Sequence, residues 1–162
     1  MSAPSADPAG VGPEVEPSEI EQVLGDHVLA QLGMREVSAR SGSYAMEMPV
    51  TPRMTNNRGG LQGGLLATLI DIVAGCAALD GLAEGKSVAT SDMHLHFLSA
   101  VTVGPAHAEA TVVRRGKRTA VVQIEVHDAG RDVLAAISTT TFAIIELRPD
   151  QVDRRRFRGD GR

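Results

Sequence analysis

A single carboxylate, Asp71, lies inside a long apolar run, and a glycine-rich turn ends just ahead of that run. From Asn56 to Asp71 the chain reads NNRGGLQGGLLATLID. A helix that begins at Gln62-Gly63-Gly64 offers backbone N–H groups without intrahelical acceptors at the positive end of the helix dipole. Glycine also lets an electron-rich oxygen approach closely. Such an end can hold a carbonyl oxygen while negative charge builds on it. Asp71 is the matching reagent, an anion that attacks the carbonyl carbon or takes a proton from water. Between residues 65 and 79 almost no side chain is polar besides Thr68 and Asp71, the composition of a helix buried on most sides. A charge placed there costs several kcal/mol unless it is matched or used. Pairing with a backbone group or an arginine is the structural alternative to catalysis.

Gly63 and Asp71 are eight residues apart. At about 1.5 Å of rise per residue they stand roughly 12 Å apart along one axis. One helix cannot bring both to the same carbonyl. Donor and acid must therefore come from two antiparallel copies, which predicts a two-fold homodimer.

Other chemistry-bearing residues compete with this pair. Asp92, His94 and His96 alternate along one strand-like run and so share a face, where an H-x-H pair with a carboxylate can hold a divalent metal. His107 and His127 are available as further ligands. The intervening Met93, Leu95 and Phe97 are apolar, so the polar face fits a solvated or intersubunit surface equally well. No resident metal is expected. Cys76 has no basic sequence neighbour to activate it and reads as a small core residue. Arg114, Arg115, Lys117 and Arg118 crowd four positive charges around Gly116, which repel one another unless solvated or met by anions.

These residues need elements to position them. Ser18 and Glu21 form a capping-box pattern ahead of Ile20, Val23, Leu24, Val28 and Leu32, the spacing of a short amphipathic helix. Residues 35–50 alternate around Tyr44, Met46 and Met48 and predict one half-buried strand with a glycine-containing bend, closed by Pro49 and Pro52. Residues 51–60 are turn-forming and lead into the central helix. Strand-like runs follow at 87–98, 106–114, 119–127 and 133–147, joined by short linkers containing Gly or Pro. The expected architecture is α+β, an antiparallel sheet of about five strands wrapped on one long helix, with a partner subunit covering the helix's other side.

The asparagine, the short loop, the paired glycines and the L-x-D of Leu69-Ile70-Asp71 on an apolar helix resemble the PaaI-like group of hotdog-fold acyl-CoA thioesterases. The resemblance runs roughly from Ser18 to Glu146 and includes SVATSDMHLHFLSAVTVGP at 87–105 and TTTFAII at 139–145. It implies a hotdog fold and hydrolysis of an acyl- or aryl-acyl-CoA to the free acid and coenzyme A, with no cofactor. It also implies a dimer that often pairs into tetramers. By the same resemblance Asn56 helps place the thioester or the water, and the Gly63 N–H holds the thioester oxygen. Asp71 is then nucleophile or general base, and Thr90 assists. The hairpin tip Arg115, Gly116, Lys117 and Arg118 would lie near the nucleotide phosphates of coenzyme A. The departure is Gln62, where histidine is usual. Its amide still donates a hydrogen bond but carries no titrating proton, which predicts a slower or differently selective enzyme. Three alternatives stay open: a noncatalytic acyl-CoA-binding hotdog protein, a hotdog dehydratase or hydratase, and a metal protein built on the Asp92 face.

Composition sets outer limits. The 162 residues are 43% hydrophobic, enough for one core in a domain over 18–147. Residues 1–17 are rich in Pro, Ala and Gly without apolar periodicity or the pattern of a signal peptide, and 148–162 are basic. Both are expected to be disordered tails. A net charge of −4 and 2% aromatic residues without tryptophan exclude bulk electrostatic or stacking recognition of nucleic acid. No run is charge-free and long enough to span a membrane; the nearest, Leu61 to Leu79, is interrupted by Asp71. The lone Cys76 rules out an internal disulfide and points to a reducing, cytoplasmic setting.

Overall fold

In a computed structural model of the chain, residues 28–148 are described. The expected tail 1–17, most of the 18–34 helix and nearly all of the tail 148–162 lie outside them. The chain divides into two units, residues 1–32 and 33–162. The described part of the first is one helical turn, α1 (Val28–Gln31).

The second unit carries six strands and one long helix. They are β1 (Arg35–Val37), β2 (Ser43–Met48), α2 (Gly63–Leu79), β3 (Lys86–Phe97), β4 (Ala106–Arg115), β5 (Thr119–Asp128) and β6 (Val133–Glu146), with a 3-10 turn at Pro52–Met54. The strands form one antiparallel sheet in the order β1-β2-β4-β5-β6-β3. The expected fold class holds, with one correction in strand count. The single bent strand expected over 35–50 is a hairpin of two strands, because Gly42 at φ +80° reverses the chain instead of bending it.

The sheet faces α2 with a row of small side chains. Ala106, Ala108 and Ala110 on β4 alternate inward and are fully buried, as are Ala120, Val122, Ile124 and Val126 on β5. Small residues let the helix backbone come close to the strands. In return α2 buries Leu66, Leu69, Ile70, Val73, Ala74, Ala77 and Ala78. Fully burying a side chain such as Leu69 or Ile70 contributes about 1.5–3 kcal/mol. On β6 the large Phe142 fits beneath Gly75, where a Cβ would already touch its ring at 3.6 Å. No described helix is long and apolar enough to cross a membrane.

Two loops are pinned by specific chemistry. Helix α2 stops at Asp80 because Gly81 follows at φ +74°, a left-handed conformation that ends helical hydrogen bonding. Between β5 and β6, Gly130 packs against the loop before β4. A Cβ there would sit 2.4 Å from Val103 Cγ1 and 2.7 Å from the Gly104 carbonyl oxygen. Val103 is exposed and can turn aside, but the backbone carbonyl does not yield cheaply, so Gly130→Ala should cost about 1–3 kcal/mol of stability. Thermal unfolding of the variant beside wild type measures this directly.

Candidate active site

Gln62 is the N-cap of α2 and makes no side-chain capping bond. Its backbone is held instead, with the Gln62 N–H donating to Met54 O at 2.8 Å and its carbonyl accepting from Leu65 and Leu66. The N–H groups of Gly63 and Gly64 have no acceptor among the described residues, as the first turn of a helix requires. Gly64 has nothing within 4 Å of where its Cβ would be, so the donors are open on that side. On the other side the Phe97 ring lies against Gly63, its Cζ 3.3 Å from the Cβ position.

The loop that delivers this helix end is itself restrained. Asn56 Oδ1 accepts from the Arg58 N–H at 2.8 Å and the Gly60 N–H at 3.4 Å, an Asx-turn that leaves its Nδ2 without an acceptor among the described residues. Leu61 N–H then donates to Val101 O at 2.8 Å, tying the turn to the loop between β3 and β4.

Two turns along α2, Asp71 is half-buried and Thr90 Oγ1 on β3 donates to its Oδ1 at 2.8 Å. A β-bulge brings this pair together. Thr90 pairs with Phe142 and Asp92 with the adjacent Thr141, so Ser91 is an extra residue in β3. Thr90 therefore shares the helix-facing side with Met93, Leu95 and Phe97, whose partners Thr140, Ser138 and Ala136 are buried. Asp92, His94 and His96 take the opposite side and are exposed. There His94 Nε2 lies 3.5 Å from Asp92 Oδ2. Among the described residues no group of three or more His, Cys, Asp or Glu side chains is arranged to hold a metal ion.

The hairpin charges divide. Arg115 turns back to the C-terminus of α2, where its Nη2 donates to the carbonyls of Ala77 (3.1 Å), Ala78 (3.2 Å) and Asp80 (2.5 Å). A cation at the negative end of a helix satisfies carbonyls that no later turn can reach. Gly116 N–H is taken by Thr119 O at 2.8 Å. Lys117 and Arg118 keep exposed side chains at the tip.

Asp128 closes β5 and is not among the residues whose type and spacing suggested chemistry. It is fully buried and accepts from three consecutive backbone N–H groups: Thr102 at 2.9 Å, Val103 at 3.2 Å and Gly104 at 2.7 Å. Burial alone would push its carboxyl up. The three N–H donors and Arg131, 3.8 Å away, outweigh that and hold it below the ordinary aspartate value. An aspartate closing a strand just before a glycine turn was the signal available in sequence.

The chain thus presents open backbone donors at one end of α2 and an aspartate held by a threonine further along it. The thioesterase superfamily profile matches residues 59–135, which span the donor turn, α2 and Thr90. Human acyl-coenzyme A thioesterase 13 is 34% identical over 119 residues, covering 72% of this chain and 78% of that protein. The crystal structure of a Haemophilus influenzae thioesterase superposes with a TM-score of 0.73 at 24% identity, over 86% of this chain and 97% of that one. A phenylacetic acid degradation-related protein from Ralstonia eutropha superposes with a TM-score of 0.65 at 26% identity, over 76% and 97%. With this profile, these relatives and this sheet and helix, the chain belongs to the thioesterase superfamily, among its PaaI-like hotdog members, and is a thioester hydrolase.

Proposed function

We propose that the protein hydrolyses an acyl- or aryl-acyl-CoA to the free acid and coenzyme A, in a site completed by two antiparallel copies of α2. The observation that carries this reading is the Thr90 hydrogen bond to Asp71, which holds one carboxylate oxygen and leaves the other for chemistry. The unpaired N–H of Gly63 supplies the matching donor, roughly 12 Å away within one chain by helical rise. A second copy closes that gap. Strand β3 supports such pairing, because among the described residues it ends the sheet and bonds to β6 on one side only.

In the proposed reaction the thioester oxygen takes the Gly63 N–H, which stabilises negative charge as the carbonyl becomes tetrahedral. Asp71 of the second copy either attacks the carbonyl carbon or takes a proton from the attacking water. A C–O bond forms, the C–S bond breaks, and the leaving thiolate takes up a proton that came from the water, giving free coenzyme A; where Asp71 is the nucleophile, water then hydrolyses the acyl-aspartyl anhydride to the free acid and restores the carboxylate. Asn56 through Nδ2 and Gln62 through its amide orient the carbonyl or the water. Arg115 and the Gly116 N–H are engaged internally, and the exposed Lys117 and Arg118 at the tip are offered to the coenzyme A phosphates. The coenzyme A part of the reading is supported by the name of the human relative. A reducing, cytoplasmic setting, read from the lone Cys76, suits an enzyme that releases a thiol, and no cofactor enters the reaction.

Thiol release from short, medium, long and aromatic acyl-CoAs tests the reading, with sedimentation to count subunits. Turnover of one class identifies the acyl group. Failure with every acyl-CoA, alongside cleavage of a simple thioester that lacks coenzyme A, would overturn the coenzyme A assignment. Within the same assay Thr90→Val removes the donor to Asp71 while keeping the shape of the side chain. A hydrogen bond to a charged group contributes about 1.5–3 kcal/mol, so kcat should fall roughly 10- to 100-fold with little change in KM.

A further inference from the structure

We propose that Phe97 is a specificity-determining residue of this site, a platform on which an aromatic acyl group stacks while the thioester oxygen takes the Gly63 N–H. The inference rests on the acyl-CoA reading above and deepens it. Phe97 ends β3, on the same side of the strand as Thr90, and its ring lies flat enough on Gly63 that three ring atoms fall 3.3–3.9 Å from the Cβ position. Glycine at 63 is what permits that approach. The ring therefore borders the open N–H donors directly.

Phe97 is nevertheless 57% exposed, an unusual state for a large aromatic that already has an apolar seat. One side of the ring is covered by the helix end and much of the rest is free. From Phe97 toward Thr90 the helix-facing positions of β3 are Leu95 and Met93, so the surface leading from donor to acid is apolar. An acyl group whose carbonyl oxygen sits on Gly63 N–H must leave the carbonyl carbon alongside this ring. Two aromatic rings in offset contact gain affinity beyond their buried area, whereas a flexible saturated chain gains only the area. The geometry therefore favours a planar aromatic acyl group over a saturated one of similar size.

The test compares benzoyl-CoA with hexanoyl-CoA by thiol release, in wild type, Phe97→Leu and Phe97→Ala, with sedimentation and thermal unfolding of each. Leucine keeps apolar volume and removes the ring. The expected result is a wild-type preference for benzoyl-CoA in kcat/KM that falls roughly 3- to 10-fold in Phe97→Leu. Hexanoyl-CoA should lose less than benzoyl-CoA, and subunit number should not change. An unchanged ratio in Phe97→Leu overturns the proposal. So does equal loss on both substrates with dissociation of the protein, which would make the ring an intersubunit contact. Hexanoyl-CoA turnover without any benzoyl preference sinks the Phe97 role and leaves the acyl-CoA reading standing. Failure of wild type on every acyl-CoA removes that reading, and this one with it.

Discussion

Asp71→Asn should lower kcat/KM for the best acyl-CoA by about 10³-fold or more while leaving the fold and the melting temperature near wild type. The amide has the shape of the carboxylate, and its oxygen can still accept the Thr90 hydroxyl hydrogen bond that the structure shows at 2.8 Å. What it lacks is the negative charge that attacks a carbonyl or accepts a proton from water. General-base or nucleophilic participation is commonly worth 10²- to 10⁴-fold, so the loss should exceed that of Thr90→Val. Because Gly63 remains to hold the thioester oxygen, substrate binding should survive, and the effect should appear in kcat before KM. A variant that retained more than about a tenth of wild-type turnover would move the chemistry away from Asp71. Mixing Asp71→Asn subunits with subunits damaged at the Gly63 end offers a second reading of the same result. If donor and acid come from different copies, mixed dimers regain one intact site, and activity reappears in proportion to heterodimer formed.

Asp128→Asn should cost about 2–4 kcal/mol of folding free energy at neutral pH, the largest stability effect expected of a single isosteric change here. The native carboxylate accepts from Thr102, Val103 and Gly104 at once and is fully buried. Asparagine keeps one acceptor oxygen and turns an NH2 group toward backbone N–H donors, so at least one of them loses its partner without gaining water. The effect has a defined dependence on pH. The folded carboxyl titrates below its unfolded value because the N–H donors and Arg131 more than offset burial. Its contribution is therefore fully present above the unfolded value of about 3.9 and is lost as pH falls through the lower, folded value. Urea unfolding of wild type and variant should show a constant gap between pH 5 and pH 7 that narrows below about pH 4. A gap that widened on acidification would contradict this assignment.

The consequences of Asp128 reach the donor turn. The loop it holds is continuous with Val101, whose carbonyl takes the Leu61 N–H just ahead of Gln62 and Gly63. Arg131 reinforces the same loop through Ala100 O at 3.2 Å and Thr102 Oγ1 at 3.3 Å. A turn that must present two unpaired N–H groups cannot hold itself with them, so its order comes from such neighbours. Gly60 against Ala100, 3.1 Å from a Cβ placed there, adds close packing to the same junction.

Much of this arrangement was legible in the order of residues. Strands β3 to β6 begin and end within a residue or two of the runs marked by alternating apolar and β-branched residues, because Gly- and Pro-containing turns interrupt a period-2 pattern sharply. Helix α2 was equally plain, since an apolar run with a glycine turn at its head has few other ways to fold. The sixth strand is the one element that local pattern leaves undecided. Glycine in a strand pattern signals either a bend or a reversal, and only pairing of Arg35 with Glu47 across β1 and β2 distinguishes the two.

By itself the sequence determined the elements, their order, and the eight-residue separation of Gly63 and Asp71, since propensity, periodicity and helical rise are local properties of the chain. The tertiary structure alone decided which way the supporting side chains face. Strict alternation back from His96, His94 and Asp92 would turn Thr90 outward with them. The bulge at Ser91 turns it to Asp71 instead, and that bulge exists only in the register with β6, some 50 residues later in the chain. Arg115 is the same lesson at the other end of α2. In sequence it is one of four like charges at a hairpin tip, and folding brings the carbonyls of Ala77, Ala78 and Asp80 within its reach. Partners so distant in sequence leave no local trace, because a hydrogen bond between them depends on sheet register and helix placement rather than on spacing.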